Sequence, residues 1–179
     1  GRLSEFATLG RSDPEIHASL VHAKEACLRL NQLTISSPGY REALRDVVPG
    51  IPDSTSICPP FYCDHGNGIT IGERSFLNYG CVILDGARVI IGNDVKIGPN
   101  CQLLTPQHPI GYEARRGTCE TSYPVEIGDD TWLGGGVIVC PGVKIGKRCI
   151  IAAGSVVIRD IPDDTMAAGN PAVVKKRLG

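Results

Sequence analysis

The chain has few aromatic residues, no strong charge of either sign and no long apolar run. Aromatic side chains make up 5% of its 179 residues, with a single Trp. A formal net charge of −1 offers no basic surface for nucleic acid. No stretch approaches the ~18 uninterrupted apolar residues of a membrane span. No basic-then-apolar leader is recognisable either, so we expect a cytoplasmic protein that does not bind a membrane.

The cysteines do not have the spacing of a metal site or a disulfide framework. No Cys-x-x-Cys pair occurs among the eight of them, which stand at positions 27, 58, 63, 81, 101, 119, 140 and 149. In a chain of this length we expect free thiols that pack as small apolar groups. No ligand quartet has zinc spacing, so we expect no bound metal.

Glycine, in contrast, is abundant, and an aliphatic residue recurs at every sixth position. The series runs through Ile127, Leu133, Val139, Ile145, Ile151 and Val157, and earlier through Ile71, Leu77, Ile83 and, after a two-residue slip near Gly86, Ile91, Ile97 and Leu103. A small or β-branched residue often follows four positions later. This period matches neither a helix nor plain strand alternation. It predicts a solenoid of short parallel strands, three to a coil, with the aliphatic residues stacked inside.

The flanking segments lack this period. Residues 1–56 are predicted to be a helical segment, with Ser12-Asp13-Pro14-Glu15 as the start of a first helix and a second helix from about Tyr40 to Val48. Residues 57–179 are predicted to be the solenoid domain. An insertion at 104–124 is expected to project as a functional loop. A tail at 158–179 is expected to end the three-sided stack of coils, which we call the prism.

Several longer motifs are specific enough to indicate a family. They are PPFYCDHG (59–66), FLNYGCVILD (76–85), TPQHP with Arg115 following, IGDDTWLGGGVIVCPGVKIG (127–146) and AAGSVVIRDIP followed by AAGNPAVV (152–174). The chain thereby resembles the maltose and galactoside O-acetyltransferases, a branch of the hexapeptide-repeat transferases that includes nodulation-factor acetyltransferases. The resemblance implies a left-handed parallel β-helix and a homotrimer with active sites between subunits. It also implies direct acetyl transfer from acetyl-CoA to a sugar or other small hydroxylated acceptor.

The resemblance assigns the catalytic base to His108, in the His-Pro pair of the insertion. A sugar hydroxyl is a poor nucleophile at neutral pH, so a base must take its proton as it attacks a thioester. Histidine suits this task because its ordinary pKa lies near neutrality. His65 is the rival candidate.

Three residues match acceptor-side positions of the family. Asn78 can both donate and accept hydrogen bonds with hydroxyl groups. Asp85 can bind hydroxyls or orient His108, and Asp64 occupies a further acceptor-side position. Some relatives carry a second acidic residue where this chain has Gly86. Near the N-terminus, Thr8 stands where the family often has an acidic acceptor contact, so the acceptor need not be a typical galactoside or maltose.

Five residues match donor-side positions. Trp132 is expected beside the pantetheine arm, and Gly135 and Ala153 where the backbone approaches it. Arg159 matches a cationic residue of the family near the end of the prism, and Lys176 is expected near the coenzyme A phosphates.

Two other functions remain open. An antibiotic or amino-sugar acyltransferase would use the same base and donor. A non-catalytic structural β-helix subunit would have the same coils, but would need no His-Pro loop. A zinc-dependent carbonic anhydrase of this fold needs three histidines, and only His65 and His108 lie in or near the repeats.

Overall fold

The computed structural model describes residues 6–8 and 13–179, in which two helices precede a solenoid of short strands. The helices are α1 (Pro14–Leu30), α2 (Tyr40–Val47) and α3 (Tyr112–Arg115). The strands are β1 (Phe6–Thr8), β2 (Ser56–Ile57), β3 (Phe61–Cys63), β4 (Ile69–Ile71), β5 (Phe76–Leu77), β6 (Cys81–Leu84), β7 (Val89–Ile91), β8 (Lys96–Ile97), β9 (Gln102–Leu104), β10 (Pro106–Gln107), β11 (Glu120–Ser122), β12 (Val125–Ile127), β13 (Trp132–Leu133), β14 (Ile138–Val139), β15 (Lys144–Ile145), β16 (Ile150–Ile151), β17 (Val156–Val157), β18 (Thr165–Gly169) and β19 (Ala172–Arg177).

The first helix begins close to the predicted position. Asp13 is its N-cap, and its carboxylate accepts hydrogen bonds from the backbone N–H groups of Glu15 and Ile16. Ser12 lies outside the described residues. The buried side of α1 includes Cys27 and Leu30 and packs against α2 and β3. The second helix ends one residue before the predicted Val48.

Three parallel sheets form the faces of the prism. The first sheet has seven strands (β2, β5, β8, β13, β16, β18 and the antiparallel β19), the second has five (β3, β6, β9, β14, β17) and the third has four (β4, β7, β12, β15). Each coil passes from the first sheet to the second at what we call the first corner, and from the second to the third at the second corner.

The six-residue period accounts for the core. All twelve aliphatic residues of the predicted series are buried. They stack in register from coil to coil, as in the ladder Leu77, Ile97, Leu133 and Ile151 of the first sheet. Neighbouring strands of a sheet lie ~4.8 Å apart, so each aliphatic side chain contacts its equivalents above and below. The prediction of a parallel β-helix is therefore confirmed, and its left-handed sense stays an expectation from the resemblance.

The small residues of the repeat lie at the corners, where several bond to the backbone. The Thr131 hydroxyl donates to the Gly146 carbonyl and accepts from the Cys149 N–H. Ser75 makes the equivalent pair of bonds with Gly92 and Val95. These hydroxyls satisfy buried backbone groups that the turns leave unpaired, which is a second reason for small residues at this position.

The insertion and the tail are more ordered than the sequence pattern predicted. Within residues 104–124 the chain forms β10, α3 and β11, and β11 pairs antiparallel with both β10 and β1. The prism also continues beyond Val157, because β18 pairs in parallel with β16 before β19 folds back on it. Prolines in the tail precede and follow β18 rather than ending the sheet.

Candidate active site

A cavity of about 360 Å³ lies at the second corner. Three successive coils widen there, at residues 64–68, 85–88 and 105–124, each between a strand of the second sheet and one of the third. The cavity is lined by Ile16 and Leu20 of α1, and by Asp64, His65, Gly86, Pro106, His108, Gly117, Thr118 and Glu120. The structure thus brings together His108 and Asp64, and it adds the rival His65.

His108 lies just after β10, where its side chain is 64% exposed. Its Nε2 lies 3.8 Å from a carboxylate oxygen of Glu120 on β11. The Arg115 guanidinium donates to the carbonyls of Pro109 and Ile110 and so closes the turn that follows His108. Glu120 thus places a carboxylate beside the imidazole ring.

Glu120 is a site residue that the sequence did not indicate. It lies twelve positions after His108 in the chain, and the pairing of β10 with β11 brings the two together. No local spacing rule connects residues across a folded insertion, so the sequence carries no signal for this contact.

Asp85 is buried beneath the 64–68 turn. One carboxylate oxygen accepts from the N–H groups of Asp64 and His65, at 3.1 and 2.8 Å, and the other accepts from Gly68 at 3.1 Å. The side chain is only 3% exposed and does not line the cavity that holds His108. Its observed contacts hold the turn that carries Asp64 and His65.

Two glycines let this turn fold so tightly. Gly66 has φ +76°, and a Cβ there would lie 1.9 Å from the Val47 carbonyl oxygen. A Cβ on Gly68 would lie 2.9 Å from the Asp85 carboxylate. Side chains at either position would push the turn away from α2 or from Asp85.

The electrostatics of the cavity are governed by its carboxylates. Burial raises the pKa of Asp64, and the neighbouring charges of Asp85 and Glu120 raise it further. His65 hydrogen-bonds through Nδ1 to the Ser19 hydroxyl of α1 at 2.9 Å. This contact ties the helix to the wall of the cavity.

The donor-side candidates Trp132 and Lys176 lie on the first sheet. Their strands are connected in register from Trp132 through Ile150 and Met166 to Lys176. Three steps of ~4.8 Å place the two positions ~14 Å apart along the sheet. Trp132 is 53% exposed and Lys176 is exposed, so this outer surface offers an apolar wall with a cation further along.

Gly135, Ala153 and Asn78 lie at the first corner, next to that sheet. The Gly154 N–H donates to the Gly135 carbonyl, which stacks the corner of one coil on the next. Asn78 occupies the same corner nearer the N-terminal end, and its side-chain oxygen accepts from the Tyr79 N–H.

Arg159 is exposed just after β17, at the second corner and two strands beyond β9 along the second sheet. His108, Asp64 and Asp85 therefore share the second corner with Arg159. Asn78, Trp132, Gly135, Ala153 and Lys176 belong to the first sheet and first corner. Within one chain these two groups lie on different edges of the prism.

Other kinds of site are not apparent in the described part of the chain. Residues 6–8 and 13–179 contain no group of three or more His, Cys, Asp or Glu arranged to hold a metal ion. No helix in that part is both long and apolar enough to cross a membrane. The cysteines there are free thiols.

Comparison with known proteins links the solenoid to transferases. Residues 124–159 match the family model described as bacterial transferase hexapeptide (six repeats). Nodulation protein L of Rhizobium meliloti is 42% identical over 169 residues, which cover 92% of this chain and 90% of that protein. Galactoside O-acetyltransferase of Lactococcus lactis is 36% identical over 152 residues, covering 84% and 73%.

Solved structures share the whole fold. A maltose O-acetyltransferase from Clostridium difficile superposes with a TM-score of 0.93 at 35% identity, covering 99% of this chain and 95% of that one. A hexapeptide-repeat acetyltransferase from Vibrio cholerae, solved in complex with acetyl-CoA, gives a TM-score of 0.90 at 36% identity, covering 94% and 92%.

Proposed function

This chain belongs to the hexapeptide-repeat acetyltransferases, and we propose that it transfers an acetyl group from acetyl-CoA to a hydroxyl of a sugar or similar small acceptor, with His108 as general base. The observation that carries the proposal is the cavity at the second corner. It places an exposed imidazole beside a carboxylate and among polar groups that suit a hydroxylated ligand.

The chemistry needs one proton acceptor and no covalent enzyme intermediate. His108 takes the proton of the acceptor hydroxyl as that oxygen attacks the thioester carbonyl. The tetrahedral intermediate then collapses, the carbon–sulfur bond breaks, and the imidazolium returns its proton to the departing thiolate. Glu120, 3.8 Å away, stabilises the imidazolium while it exists.

The donor would lie along the first sheet. The exposed Trp132 gives a flat apolar wall for the pantetheine arm, and the small Gly135 and Ala153 leave the neighbouring corner open. Lys176 and Arg159 are exposed cations that can pair with phosphate groups. Acetyl-CoA is consumed in this reaction and is therefore a co-substrate.

A homotrimer would complete the site. In one chain, His108 lies on a different edge of the prism from every donor-side residue except Arg159. If the first sheet of one subunit faces the second corner of its neighbour, Trp132 and Asn78 of one chain meet His108 of the other. Three such contacts around a three-sided prism close a ring.

The acceptor side also favours a second candidate. Asp64 and Glu120 line the cavity, and its described lining includes no Lys or Arg. Carboxylates bind sugar hydroxyls, but they also attract an ammonium group, so an amino-sugar or aminoglycoside antibiotic is the alternative acceptor. The structural subunit considered from the sequence is disfavoured by the acetyltransferase relatives, and it would not bind coenzyme A.

The test is thiol release from acetyl-CoA with a panel of glucosides, galactosides, maltose, chitooligosaccharides and an aminoglycoside. We expect acceptor-dependent release that falls at least ~100-fold in His108→Ala. The matched control is His17→Ala, an exposed histidine on α1 outside the cavity, which should retain wild-type rates. Equal activity of His108→Ala and wild type would exclude His108 as the base.

Two further measurements separate the alternatives. Calorimetry with coenzyme A tests donor binding in the absence of any acceptor, and no binding would favour the structural subunit. Light scattering tests the assembly: a trimer has three times the 19.0 kDa of one chain. A monomer that is fully active would contradict the composite site.

A further inference from the structure

Two cysteines face each other between α1 and the prism, close to the candidate active site. The Sγ atoms of Cys27 on α1 and Cys63 at the end of β3 lie 3.7 Å apart. Both thiols are free. Cys27 is 3% exposed and Cys63 is half-buried. A cavity of about 420 Å³ reaches them, lined by Lys24, Cys27, Leu28, Asn31, Gln32, Pro60, Tyr62 and Cys63.

The contact makes the two thiols chemically unequal. Either thiol can donate to the other, and the hydrogen bond from Cys63 lowers the pKa of Cys27. Holding that proton raises the pKa of Cys63, and burial raises it further. The thiolate is the reactive form of cysteine, so Cys27 is the nucleophile of the pair. At Cys81, inside the prism, burial raises the pKa of the thiol to about 12, so this thiol is far less reactive.

We propose that Cys27 and Cys63 form a peroxide-sensitive dithiol that closes reversibly into a disulfide joining α1 to β3. The Cys27 thiolate attacks one oxygen of a small peroxide and breaks the O–O bond, giving a sulfenic acid and hydroxide. Cys63 then attacks the oxidised sulfur, and the second oxygen leaves as water. Overall, two thiols and one hydrogen peroxide give one disulfide and two waters.

The position of the pair gives this modification a consequence. Two to three turns before Cys27, α1 contributes Ile16 and Leu20 to the cavity that holds His108, and Ser19 to the contact with His65. Cys63 directly precedes Asp64 on another wall of that cavity. A bond between them would tie these two walls together. The disulfide itself does not depend on the proposed acetyl transfer and is measured without it.

The experiment is peptide mapping of the full chain after treatment with hydrogen peroxide at neutral pH and alkylation of the remaining thiols. Trypsin releases Cys27 in the short peptide 25–29 and Cys63 in 46–74 together with Cys58. Chymotrypsin, cutting after Tyr62, separates Cys58 from Cys63. We expect a 27–63 link that lacks two hydrogen atoms, is reversed by dithiothreitol and forms at least ~10-fold faster than oxidation of the buried Cys101.

Three controls make the result specific. Cys119→Ser removes the exposed thiol that can link two chains, and it should leave the 27–63 link intact. Cys63→Ser should abolish the link and leave Cys27 as a sulfenic acid trapped by dimedone. Oxidised wild type should also melt higher than reduced wild type, on the order of 5–10 °C, because the disulfide restricts the unfolded chain.

The peptide map of the wild-type chain tests the proposal even if the Cys63→Ser chain fails to fold. The wild-type chain is oxidised until Cys119 has reacted completely, and is then unfolded and alkylated. If Cys27 and Cys63 are both still alkylated at that point, the proposal is wrong. A link from Cys27 to any other cysteine would overturn it equally.

Discussion

Removing the Asp85 carboxylate should both destabilise the chain and loosen the candidate active site. The side chain is buried and accepts hydrogen bonds from Asp64, His65 and Gly68, at 2.8 to 3.1 Å. In Asp85→Ala these three backbone donors lose their acceptor. In Asp85→Asn one carboxamide oxygen can still accept from two of them, but its NH₂ group then faces the Gly68 donor.

The magnitude follows from the number of donors left unpaired. A hydrogen bond to a charged group contributes ~1.5–3 kcal/mol, and a buried unpaired donor costs at least ~1 kcal/mol even where water can enter. Three donors give a loss of about 3 kcal/mol or more in the free energy of unfolding for Asp85→Ala. For Asp85→Asn, with one donor opposed, we expect about 1–2 kcal/mol.

Urea unfolding followed by circular dichroism measures both values. Asp94→Asn is the matched control, because this carboxylate bonds the Arg74 guanidinium at the exposed surface and should have a midpoint close to wild type. We also expect Asp85→Asn to raise the KM for the acceptor and leave coenzyme A binding unchanged. An Asp85→Ala chain with the wild-type midpoint would refute the assignment of these hydrogen bonds.

Three further predictions concern stability. Tyr40→Phe should lower the free energy of unfolding by about 1–3 kcal/mol, because the buried hydroxyl donates to the Ile57 carbonyl and accepts from the Ile57 N–H. An unchanged urea midpoint would contradict this prediction. Leu133→Ala should lower the free energy of unfolding by about 2–5 kcal/mol, since Leu133 is fully buried in the inward ladder of the first sheet. A loss below about 1 kcal/mol would contradict this and would mean that the neighbouring coils fill the space left by the missing side chain. Asp64→Asn should raise Tm at pH 7, because the raised pKa of Asp64 means that its ionised form is disfavoured in the folded chain. This gain should disappear as pH falls below about 4, where Asp64 is protonated in both states, and melting curves that show no such pH dependence would reject the assignment.

The predicted repeat positions and the bounds of the two helices agree with the structure to within a few residues. Within the predicted helical segment, however, Phe6–Thr8 form the strand β1, because they pair with β11 of the insertion. The inward positions were predictable because each depends only on the chain returning to the same face every six residues. The second helix, from Tyr40 to Val47, was predictable from Pro49 and Gly50 beyond its end. Trp132 lies on β13 directly before the inward Leu133, so its outward position follows from the same period.

The insertion was harder to interpret. Its residues 104–124 have no period, so a projecting loop was the natural expectation. The structure instead has strands that pair across the insertion and with β1, and this pairing brings Glu120 near His108. Likewise, Asp85 was expected to contact the acceptor or to orient His108, whereas its observed bonds are to the backbone of a turn twenty residues earlier. Its direct role toward an acceptor stays a prediction.

By itself, then, the sequence determined the solenoid, the two helices before it and the family to which the chain belongs. These depend on short-range periodicity and on motifs, both of which can be read along the chain. Only the tertiary structure decided which candidates share an edge of the prism. The widening of the second corner over three coils gathers Asp64, His65, His108 and Glu120 in one cavity, while Trp132 and Lys176 lie on another face. That division depends on how many residues each corner contains and on pairing between distant strands, and long-range pairing leaves no periodic mark in the sequence.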